Sequence, residues 1–342
     1  KMAIPGNLLT TAMAVMPHKD VDSALKAACS LDIPFWPQLP LLNYYEDMYV
    51  QASENFPGIL LDMENRTLKF STDKFAMELE DAMLHFDDPA YFDISSTYSQ
   101  VYHKFLEIDF SDRPAIRGQL EGPVSFGFNV QDENERPILF NDTVREFMFD
   151  FMAQRINVQL ERLKKINPNA FMFIDEPGLQ YIFSAMSGYN DMTAKTDLDR
   201  FFSLIEHPRG IHLCGNPDWG FLLNLDLDIL SMDVYLNGDI IVSYHKEIKR
   251  FLDRGGVLVW GVVPTNFEPF YTESIDSLKK RFVHLWDTLS KRGIDRDMLI
   301  SQSLISPATC CLVNKDGEQT VEKAFKLVSN LSRELRDMYK IG

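Results

Sequence analysis

The segment Gly210–Asn216 (GIHLCGN) is a short apolar run that contains a histidine and a cysteine two positions apart. If the run is a β-strand, alternate side chains share a face, so His212 and Cys214 point the same way, about 7 Å apart. Another thiol, Cys310, follows 96 residues later (310 − 214). One imidazole and two thiolates are the ligands that a thiophilic ion such as zinc prefers. Three protein ligands leave a coordination position open, as in catalytic zinc sites.

This run belongs to a series of short apolar runs, most of them followed by a longer amphipathic stretch. The predicted strands are Leu8–Val15, Ile33–Trp36, Ala115–Glu121, Ala170–Asp175, Gly210–Cys214, Ile229–Asp233, Val257–Val262 and Leu299–Ser306. The predicted helices are Val21–Ser30, Thr143–Ile166, Leu198–Ile205, Tyr244–Asp253, Ile275–Arg292 and Val321–Tyr339. Strands that alternate with helices are typical of βαβ units and a parallel sheet. Eight strands in this order predict an α/β fold, the TIM (β/α)8 barrel.

The chain is longer than such a barrel needs, and the surplus lies between predicted strands two and three, at about residues 41–112. Within it, Gly58–Ser71 predicts a hairpin, and helices follow. No long linker, repeat or low-complexity segment divides the sequence, which favours a single TIM-barrel domain over residues 1–342. A doubly wound open sheet is the competing architecture. No G-x-G-x-x-G motif opens the first βα turn, which disfavours a dinucleotide-binding fold.

Composition excludes several classes of function. The 342 residues include 50 acidic and 34 basic side chains, a net charge of −16, which disfavours nucleic acid as a partner. Apolar residues make up 45% of the chain, enough for a large core. Four cysteines without a disulfide framework suggest a reducing compartment, the cytoplasm. No apolar run of about 18 residues and no secretory signal pattern occur, so no membrane association is expected.

Nearly every predicted strand ends in a chemically reactive or polar side chain. In a barrel these ends share one face, where active sites lie, and closure of the barrel would bring Cys310 near His212. The residues at these ends are His18, Gln38, Glu121, Asp175, Glu176, His212, Cys214, Asp233, Trp260, Asn266 and Cys310.

Each candidate also has an ordinary structural interpretation. A histidine beside a cysteine can be a buried pair in a core. Asp175 and Glu176, followed by a proline, match the start of a helix. Glu121 can be an interior residue paired with Arg117. Aromatic residues at strand ends, such as Trp260, are more often packing residues than substrate contacts.

Several motifs occur in a distinctive order. They are Thr10-Thr11 with Met16-Pro17, Gly122-Pro123-Val124, Ile174-Asp175-Glu176-Pro177, His212-Leu213-Cys214-Gly215, and Ser306-Pro307 followed by Cys310. In this order the chain resembles the catalytic barrel of cobalamin-independent methionine synthase. It is also similar to methylcobamide:coenzyme M methyltransferases and, more remotely, to uroporphyrinogen decarboxylase. Methionine synthases of this kind carry two barrels, so the chain resembles a stand-alone catalytic half.

The resemblance implies a zinc-dependent methyltransferase in which the metal binds the acceptor thiol. The implied metal ligands are His212, Cys214, Cys310 and Asp233. The acceptor would be a small thiol such as homocysteine or a coenzyme M-like thiol, with Asp175 holding the amino group of homocysteine. The donor would be methylcobalamin or another methylcorrinoid, presented by a corrinoid protein, or methyltetrahydrofolate. A single barrel lacks the second domain that helps to hold a polyglutamyl folate, which favours the corrinoid.

The sequence departs from the methionine synthase pattern at three positions. Val15 stands where the first turn of the family carries a serine, Cys311 follows the last ligand in place of glycine, and Thr265–Phe267 replaces an expected histidine. Val15 has no hydroxyl to offer an amino-acid carboxylate, so the acceptor's identity stays open.

We assign Asp175 and Glu176 as catalytic candidates. The substrate-binding candidates are Met16, His18, Gln38, Glu121, Trp260 and Asn266. Two alternative functions remain. One is a metal-free, uroporphyrinogen-decarboxylase-like enzyme in which Asp175 and Glu176 act as acids. The other is a non-catalytic corrinoid-binding barrel.

Overall fold

A seven-stranded parallel sheet forms the centre of the protein, in a computed structural model that describes residues 4–182 and 189–342. The spatial order of its strands is β1-β9-β8-β7-β6-β5-β4, and a separate two-stranded antiparallel hairpin pairs β2 with β3. The strands are β1 (Leu9–Thr10), β2 (Ile59–Asp62), β3 (Thr67–Phe70), β4 (Arg117–Glu121), β5 (Phe171–Asp175), β6 (Arg209–His212), β7 (Ile229–Asp233), β8 (Val257–Val263) and β9 (Ser303–Pro307). Strands β4 and β6 to β9 are buried along their whole length, as expected for a parallel sheet covered on both faces.

Helices connect consecutive strands of the sheet, and each predicted helix has a counterpart. They are α1 (Val21–Cys29), α2 (Met48–Ser53), α3 (Thr72–Leu84), α4 (Pro89–Phe92), α5 (Gln100–Leu106), α6 (Pro123–Asn129), α7 (Asp142–Ile166), α8 (Asp191–Leu204), α9 (Trp219–Leu223), α10 (Val234–Ser243), α11 (His245–Asp253), α12 (Phe267–Thr272), α13 (Ile275–Lys291), α14 (Arg296–Ser301) and α15 (Gln319–Met338). Side-chain caps fix where many of them begin. Asp20, Asn141 and Ser274 each accept a hydrogen bond from a backbone N–H of the first turn.

The sheet is a half-barrel of seven strands. Of the eight predicted strands, the second, Ile33–Trp36, is the one that does not form. Residues 33–38 lie between β1 and β4 but contribute only isolated parallel bridges, Val15 to Gln38 and Phe35 to Arg117. Proline has no backbone N–H, so the prolines at positions 34 and 37 remove two of the donors that a regular ladder would need. The expectation of a closed eight-stranded barrel is therefore corrected to a TIM-like half-barrel.

Several other predicted strands are shorter than expected, among them Gly210–Cys214, where β6 ends at His212 and Cys214 lies in the segment that follows. The first regular strand covers only Leu9–Thr10 of the predicted Leu8–Val15. Residues 299–301 belong to α14, and β9 begins only at Ser303. Asp295 caps α14 by accepting from the N–H of Met298, so the chain is helical almost up to the strand.

The surplus between the second and third predicted strands contains the β2–β3 hairpin and helices α3 to α5, as the sequence suggested. Arg155 of α7 ties this region to the rest of the fold. Its guanidinium is fully buried and donates to the backbone carbonyls of Phe92 and Ala52, both at 2.8 Å. In the described parts of the chain, no helix combines the length and the apolar character that crossing a bilayer would require.

One face of the sheet carries a small buried cluster, separate from the main core that packs under the helices. Its members are Ile33, Ala115, Phe171, Phe173, Ile229, Val257, Val259 and Leu304. They come from several neighbouring strands and fill the interior of the half-barrel. Phe173 also borders the cavity described next, so this cluster forms part of the cavity floor.

Candidate functional site

A cavity of about 130 Å³ opens at the carboxyl ends of the parallel strands. It is lined by Met13, Ala14, Val15, Met48, Arg117, Phe173, Asp175, Pro177, His212, Leu213, Cys214 and Cys310. Apolar side chains make up most of the wall, with a few polar groups among them, which is the usual composition of a small-molecule site. Its position at the strand ends is where ligands bind in parallel α/β folds.

His212 ends β6 and is nearly fully buried. Its Nδ1 lies 2.9 Å from Oγ of Ser231 on the neighbouring strand, and its Nε2 lies 3.1 Å from Sγ of Cys214. Burial lowers the pKa of His212 to about 3, and the positive charge of Arg117 adds to this effect. The ring is therefore neutral at physiological pH, and a proton on Nδ1 would leave the Nε2 lone pair free to bind a metal ion.

Cys310, which follows β9, lies against Cys214 despite their separation in sequence. The interaction between the two thiols raises the pKa of Cys214 and lowers the pKa of Cys310. Cys310 is therefore the thiol that ionises first. Three of the four predicted metal ligands, counting His212, line one cavity in a chain of contacts.

The fourth predicted ligand, Asp233, has a structural task. Its carboxylate caps α10 by accepting from the N–H of Leu236 at 3.2 Å, and burial raises its pKa to about 6. It is not among the cavity-lining residues of the described chain. Within residues 4–182 and 189–342, no group of three or more His, Cys, Asp or Glu side chains has the arrangement needed to hold a metal ion.

Asp175 and Arg117 are the charged groups of the cavity wall. Asp175 ends β5 and is the register partner of His212 on β6. Burial raises the pKa of Asp175 to about 7, although the guanidinium of Arg117 opposes the rise. Burial likewise lowers the pKa of Arg117 to about 9, and Asp175 opposes that change. Arg117 is thus coupled to Asp175, whereas the sequence had suggested Glu121 as its partner.

Glu121 and Glu176 are fully buried beside the cavity. Among the described residues, neither oxygen of Glu121 has a hydrogen-bond partner of normal geometry, although the Tyr49 hydroxyl lies close enough to interact. Glu176 accepts from the N–H of Ser125 at 3.0 Å through Oε1, while Oε2 has no partner in the described chain. Burial raises the pKa of Glu176 to about 8. Burial and the neighbouring acids raise the pKa of Glu121 further above its usual range. Glu176 is therefore largely protonated at neutral pH, and the neutral form of Glu121 is favoured as well.

Three of the predicted substrate-binding residues near the N-terminus lie outside the cavity wall. Met16 is part of the main core. His18 is buried, with Nε2 at 3.0 Å from a carboxylate oxygen of Glu322. Gln38 is buried too and donates to Gln51 at 2.9 Å. In each case the side chain that was expected to contact substrate contacts other protein residues instead.

Trp260 and Asn266, predicted from the strand and loop at β8, are also away from the cavity. Trp260 is fully buried, donates to Oγ of Ser303 at 3.0 Å and packs edge-on against Trp286. Trp260 is therefore a core residue and not part of a substrate wall. Asn266 is exposed at the start of α12, where its side chain makes no capping hydrogen bond.

Sequence reasoning missed most of the wall itself. Met13 lies in an irregular segment and Met48 begins the short helix α2; both are apolar, and nothing in their pattern distinguishes cavity-lining from core residues. Arg117 had a usable signal: a charged residue in an otherwise apolar predicted strand must be compensated inside the fold.

The fold is similar to that of a B12-independent methionine synthase from Shewanella sp. W3-18-1, solved in complex with selenomethionine. The TM-score is 0.56 at 11% identity, and the match covers 97% of this chain and 99% of that chain. An endo-1,4-β-mannanase from Rhizomucor miehei matches over 96% of each chain at 10% identity, but its TM-score of 0.34 is too low to support an argument. No family profile and no curated protein sequence matches the chain. At such low identity the likeness establishes a TIM-barrel-like fold.

Proposed function

We propose that the protein is a zinc-dependent methyltransferase that moves a methyl group from a methylcorrinoid or methylfolate to a small thiol such as homocysteine or a coenzyme M-like thiol. One observation carries the proposal. The imidazole of His212 and the thiols of Cys214 and Cys310 meet at the wall of a cavity at the carboxyl ends of a parallel sheet. The fold similarity to a methionine synthase is consistent with it.

The donor set suits a thiophilic ion. Zinc binds histidine nitrogen at about 2.0–2.1 Å and cysteine sulfur at about 2.3 Å, so tetrahedral ligands of the two kinds stand about 3.6 Å apart. Nε2 of His212 and Sγ of Cys214 are 3.1 Å apart, so this pair must separate slightly on binding, and Cys310 must move to complete a three-ligand arrangement that the described residues do not yet form. Ser231 holds the other ring nitrogen, as second partners of metal-bound histidines do. When bound, the ion would hold the acceptor sulfur as a reactive thiolate.

The remaining residues would prepare the acceptor for this chemistry. Asp175 borders the same cavity and can hold an ammonium group of the acceptor. The side chain of Glu176 accepts from the N–H of Ser125 near the start of α6. Its backbone N–H donates to the carbonyl of His212 at 2.9 Å. Met13, Val15 and their apolar neighbours exclude water, which favours attack by the sulfur over hydrolysis.

The size of the cavity separates the proposal from the decarboxylase alternative. Sites for drug-sized ligands have volumes of about 300–1,000 Å³. A cavity of about 130 Å³ suits a small thiol and is too small for a tetrapyrrole. A methyl donor of corrinoid or folate size would therefore approach from the cavity mouth, free or carried by a corrinoid protein.

The four cysteines supply their own controls for a test of the metal site. Zinc should be measured by mass spectrometry in the purified wild-type protein and in single cysteine-to-serine variants. We expect about one equivalent in the wild type and a clear loss in Cys214→Ser and Cys310→Ser, because each removes a thiolate ligand. Cys29→Ser and Cys311→Ser should keep the wild-type content. Unchanged zinc in Cys310→Ser would contradict the proposal.

A second assay tests the reaction. The zinc-loaded protein should be incubated with methylcobalamin or methyltetrahydrofolate and with homocysteine or 2-mercaptoethanesulfonate, and the thioether should be measured. We expect product from at least one donor and acceptor pair, lost in Cys310→Ser and kept in Cys311→Ser. Zinc binding without product from any pair would favour the non-catalytic corrinoid-binding alternative.

A further inference from the structure

Arg117 is a buried cation on the wall of the cavity that the proposed chemistry does not use. It begins β4, is only 1% exposed, and lies between two phenylalanine rings. The guanidinium carbon is 4.6 Å from the ring centre of Phe35 and 4.9 Å from that of Phe173. These contacts hold the guanidinium plane in one orientation at the cavity floor.

The protein uses only part of the hydrogen-bonding capacity of Arg117. The guanidinium has five N–H donors. Within the described residues, Nε donates to Oγ1 of Thr11 at 3.2 Å, Nη1 to Oε1 of Gln119 at 3.1 Å, and Nη2 to the carbonyl of Ala12. Both terminal nitrogens therefore keep one N–H each. Two such N–H groups on adjacent nitrogens match the two oxygens of a carboxylate or sulfonate.

The charge of Arg117 is also incompletely balanced. In the part of the chain that the structure describes, no carboxylate lies within ion-pair distance of it, and Asp175 acts on it only at longer range. A buried charge without a close partner is unfavourable, so the site gains stability when a ligand brings an anion. The neighbouring cavity residues Met13, Ala14 and Val15 carry no side chain that could bind an anion.

Strand register places this cation below the sulfur ligands. Arg117 is four residues before Glu121, whose register partner is Asp175, and Asp175 in turn pairs with His212. Four residues of strand correspond to about 13 Å. The side chain of Arg117 covers part of this distance toward the carbonyl of Ala12 and the cavity. The guanidinium is therefore closer to the sulfur ligands than this strand distance.

We propose that Arg117 binds an anionic group of the acceptor, so that the acceptor is a short acidic thiol with a carboxylate or sulfonate a few carbons from the sulfur. That the ligand is a thiol rests on the proposed function. The anion site itself stands on the unused N–H groups, the missing counter-ion and the cavity. Arg117 thereby selects acidic thiols and places their sulfur at the strand ends.

The first test needs only the metal-free wild-type chain. Its cysteines should be alkylated at pH 7 with 3-iodopropionate, which is anionic, or 3-iodopropanamide, which is neutral, and the modified sites measured by mass spectrometry. Cys311 is the reference, because Arg113 donates to the carbonyl of Cys29. We expect the ratio of anionic to neutral product at Cys310 to exceed that at Cys311 by about tenfold, the effect of one charged hydrogen bond. A ratio at Cys310 equal to or below that at Cys311 would overturn the proposal.

The second test uses ligands without sulfur, so its outcome does not depend on the metal. Thermal midpoints of the metal-free protein should be measured with propionate, ethanesulfonate and the neutral propanamide. We expect at least one acid to raise the midpoint while propanamide does not, and the more effective acid identifies the anion class. Arg117→Met should abolish the shift. Arg155→Met, which removes a buried arginine outside the cavity, should retain it.

These outcomes separate the two proposals. No shift with either acid in the wild type would refute the anion site even if zinc binds normally. A shift that survives in Arg117→Met would also refute it. A shift that depends on Arg117 in a protein that fails to bind zinc would keep the anion site and reject the zinc-dependent function. Arg117→Lys, which keeps the charge but not the paired donors, should retain a reduced shift.

Discussion

The cavity has two sides that differ in how well their polar groups are satisfied. We define the sulfur side as His212, Cys214 and Cys310, and the carboxyl side as Glu121, Asp175 and Glu176. On the sulfur side, each group contacts another or Ser231, and every group can be neutral. On the carboxyl side, three oxygens of the two glutamates lack partners among the described residues, and burial raises the pKa of all three acids. The polar groups of the sulfur side therefore satisfy one another without a ligand, whereas the carboxyl side depends on protons or a ligand to offset its charge.

The largest expected effect comes from removing a charge on the carboxyl side. Burial raises the pKa of Glu176 from 4.5 to about 8, and each pKa unit corresponds to about 1.4 kcal/mol. A raised carboxyl pKa gives stability that is fully present below pH 4.5 and is lost as the pH rises through about 8. Glu176→Gln imitates the protonated form, so its unfolding free energy should lie within about 1 kcal/mol of the wild type at pH 5. At pH 9 its unfolding free energy should exceed that of the wild type by on the order of 5 kcal/mol.

Urea unfolding at pH 5 and pH 9 measures this difference. Glu64→Gln, at an exposed acid of the β2–β3 hairpin, is the control and should follow the wild type at both pH values. If the unfolding free energies of Glu176→Gln and the wild type differ by the same amount at both pH values, the negative charge of Glu176 is better balanced by its neighbours than the structure indicates.

Close packing on the carboxyl side gives a second, smaller effect. A Cβ added at Gly122 would lie 2.0 Å from Oε1 of Glu176, so Gly122→Ala must displace that side chain. Overpacking of this kind costs about 1–3 kcal/mol. Gly220→Ala is the control, because its nearest neighbour would be 3.2 Å away, at Oδ1 of Asp218, in the short helix α9. Chemical denaturation should show a loss for Gly122→Ala alone, and pairing it with Glu176→Ala should remove most of the difference.

On the sulfur side the expected effect is on metal affinity. Ser231 orients His212 through a 2.9 Å contact with Nδ1, and loss of such a partner typically lowers metal affinity about 10–100-fold. Ser231→Ala should therefore weaken zinc binding by that factor in a competition with a chelator of known affinity. Ser303→Ala, at a buried serine that bonds Trp260 instead, should leave the affinity unchanged. Equal affinities for both variants would mean that Ser231 does not support a ligand.

The contrast between the two sides also explains what the sequence could reveal. His212 was placed correctly at the end of a strand, because strand patterns depend only on local spacing, whereas Cys214 lies beyond the end of β6 and contacts the imidazole from there. Cys310 was expected near His212 through closure of a barrel; the sheet does not close, yet Cys310 lines the same cavity. The failed strand at residues 33–36 shows the limit of that pattern, since the apolar run was correct but the prolines at 34 and 37 interrupt the ladder.

The carboxyl side could not be derived in this way, because its chemistry depends on three-dimensional neighbours. The partner of Arg117 is set by which side chains fill the barrel interior, and strand periodicity does not specify this. The role of Asp233 as a helix cap depends on where α10 begins, and helix boundaries are weakly encoded in sequence. Residues whose function needs a partner on another element are therefore the ones that sequence reasoning assigned least well.

The smallest expected effect tests where the cavity ends. Trp260 was predicted as a substrate contact, but it is fully buried and donates to Ser303 at 3.0 Å. Trp260→Phe keeps the aromatic packing and removes that hydrogen bond, which should cost about 1–2 kcal/mol of unfolding free energy. Combining it with Ser303→Ala should cost little more, because the two changes remove the same bond. Zinc content and the KM for the acceptor should stay at wild-type values, and a raised KM with unchanged stability would instead place Trp260 on the substrate side of the wall.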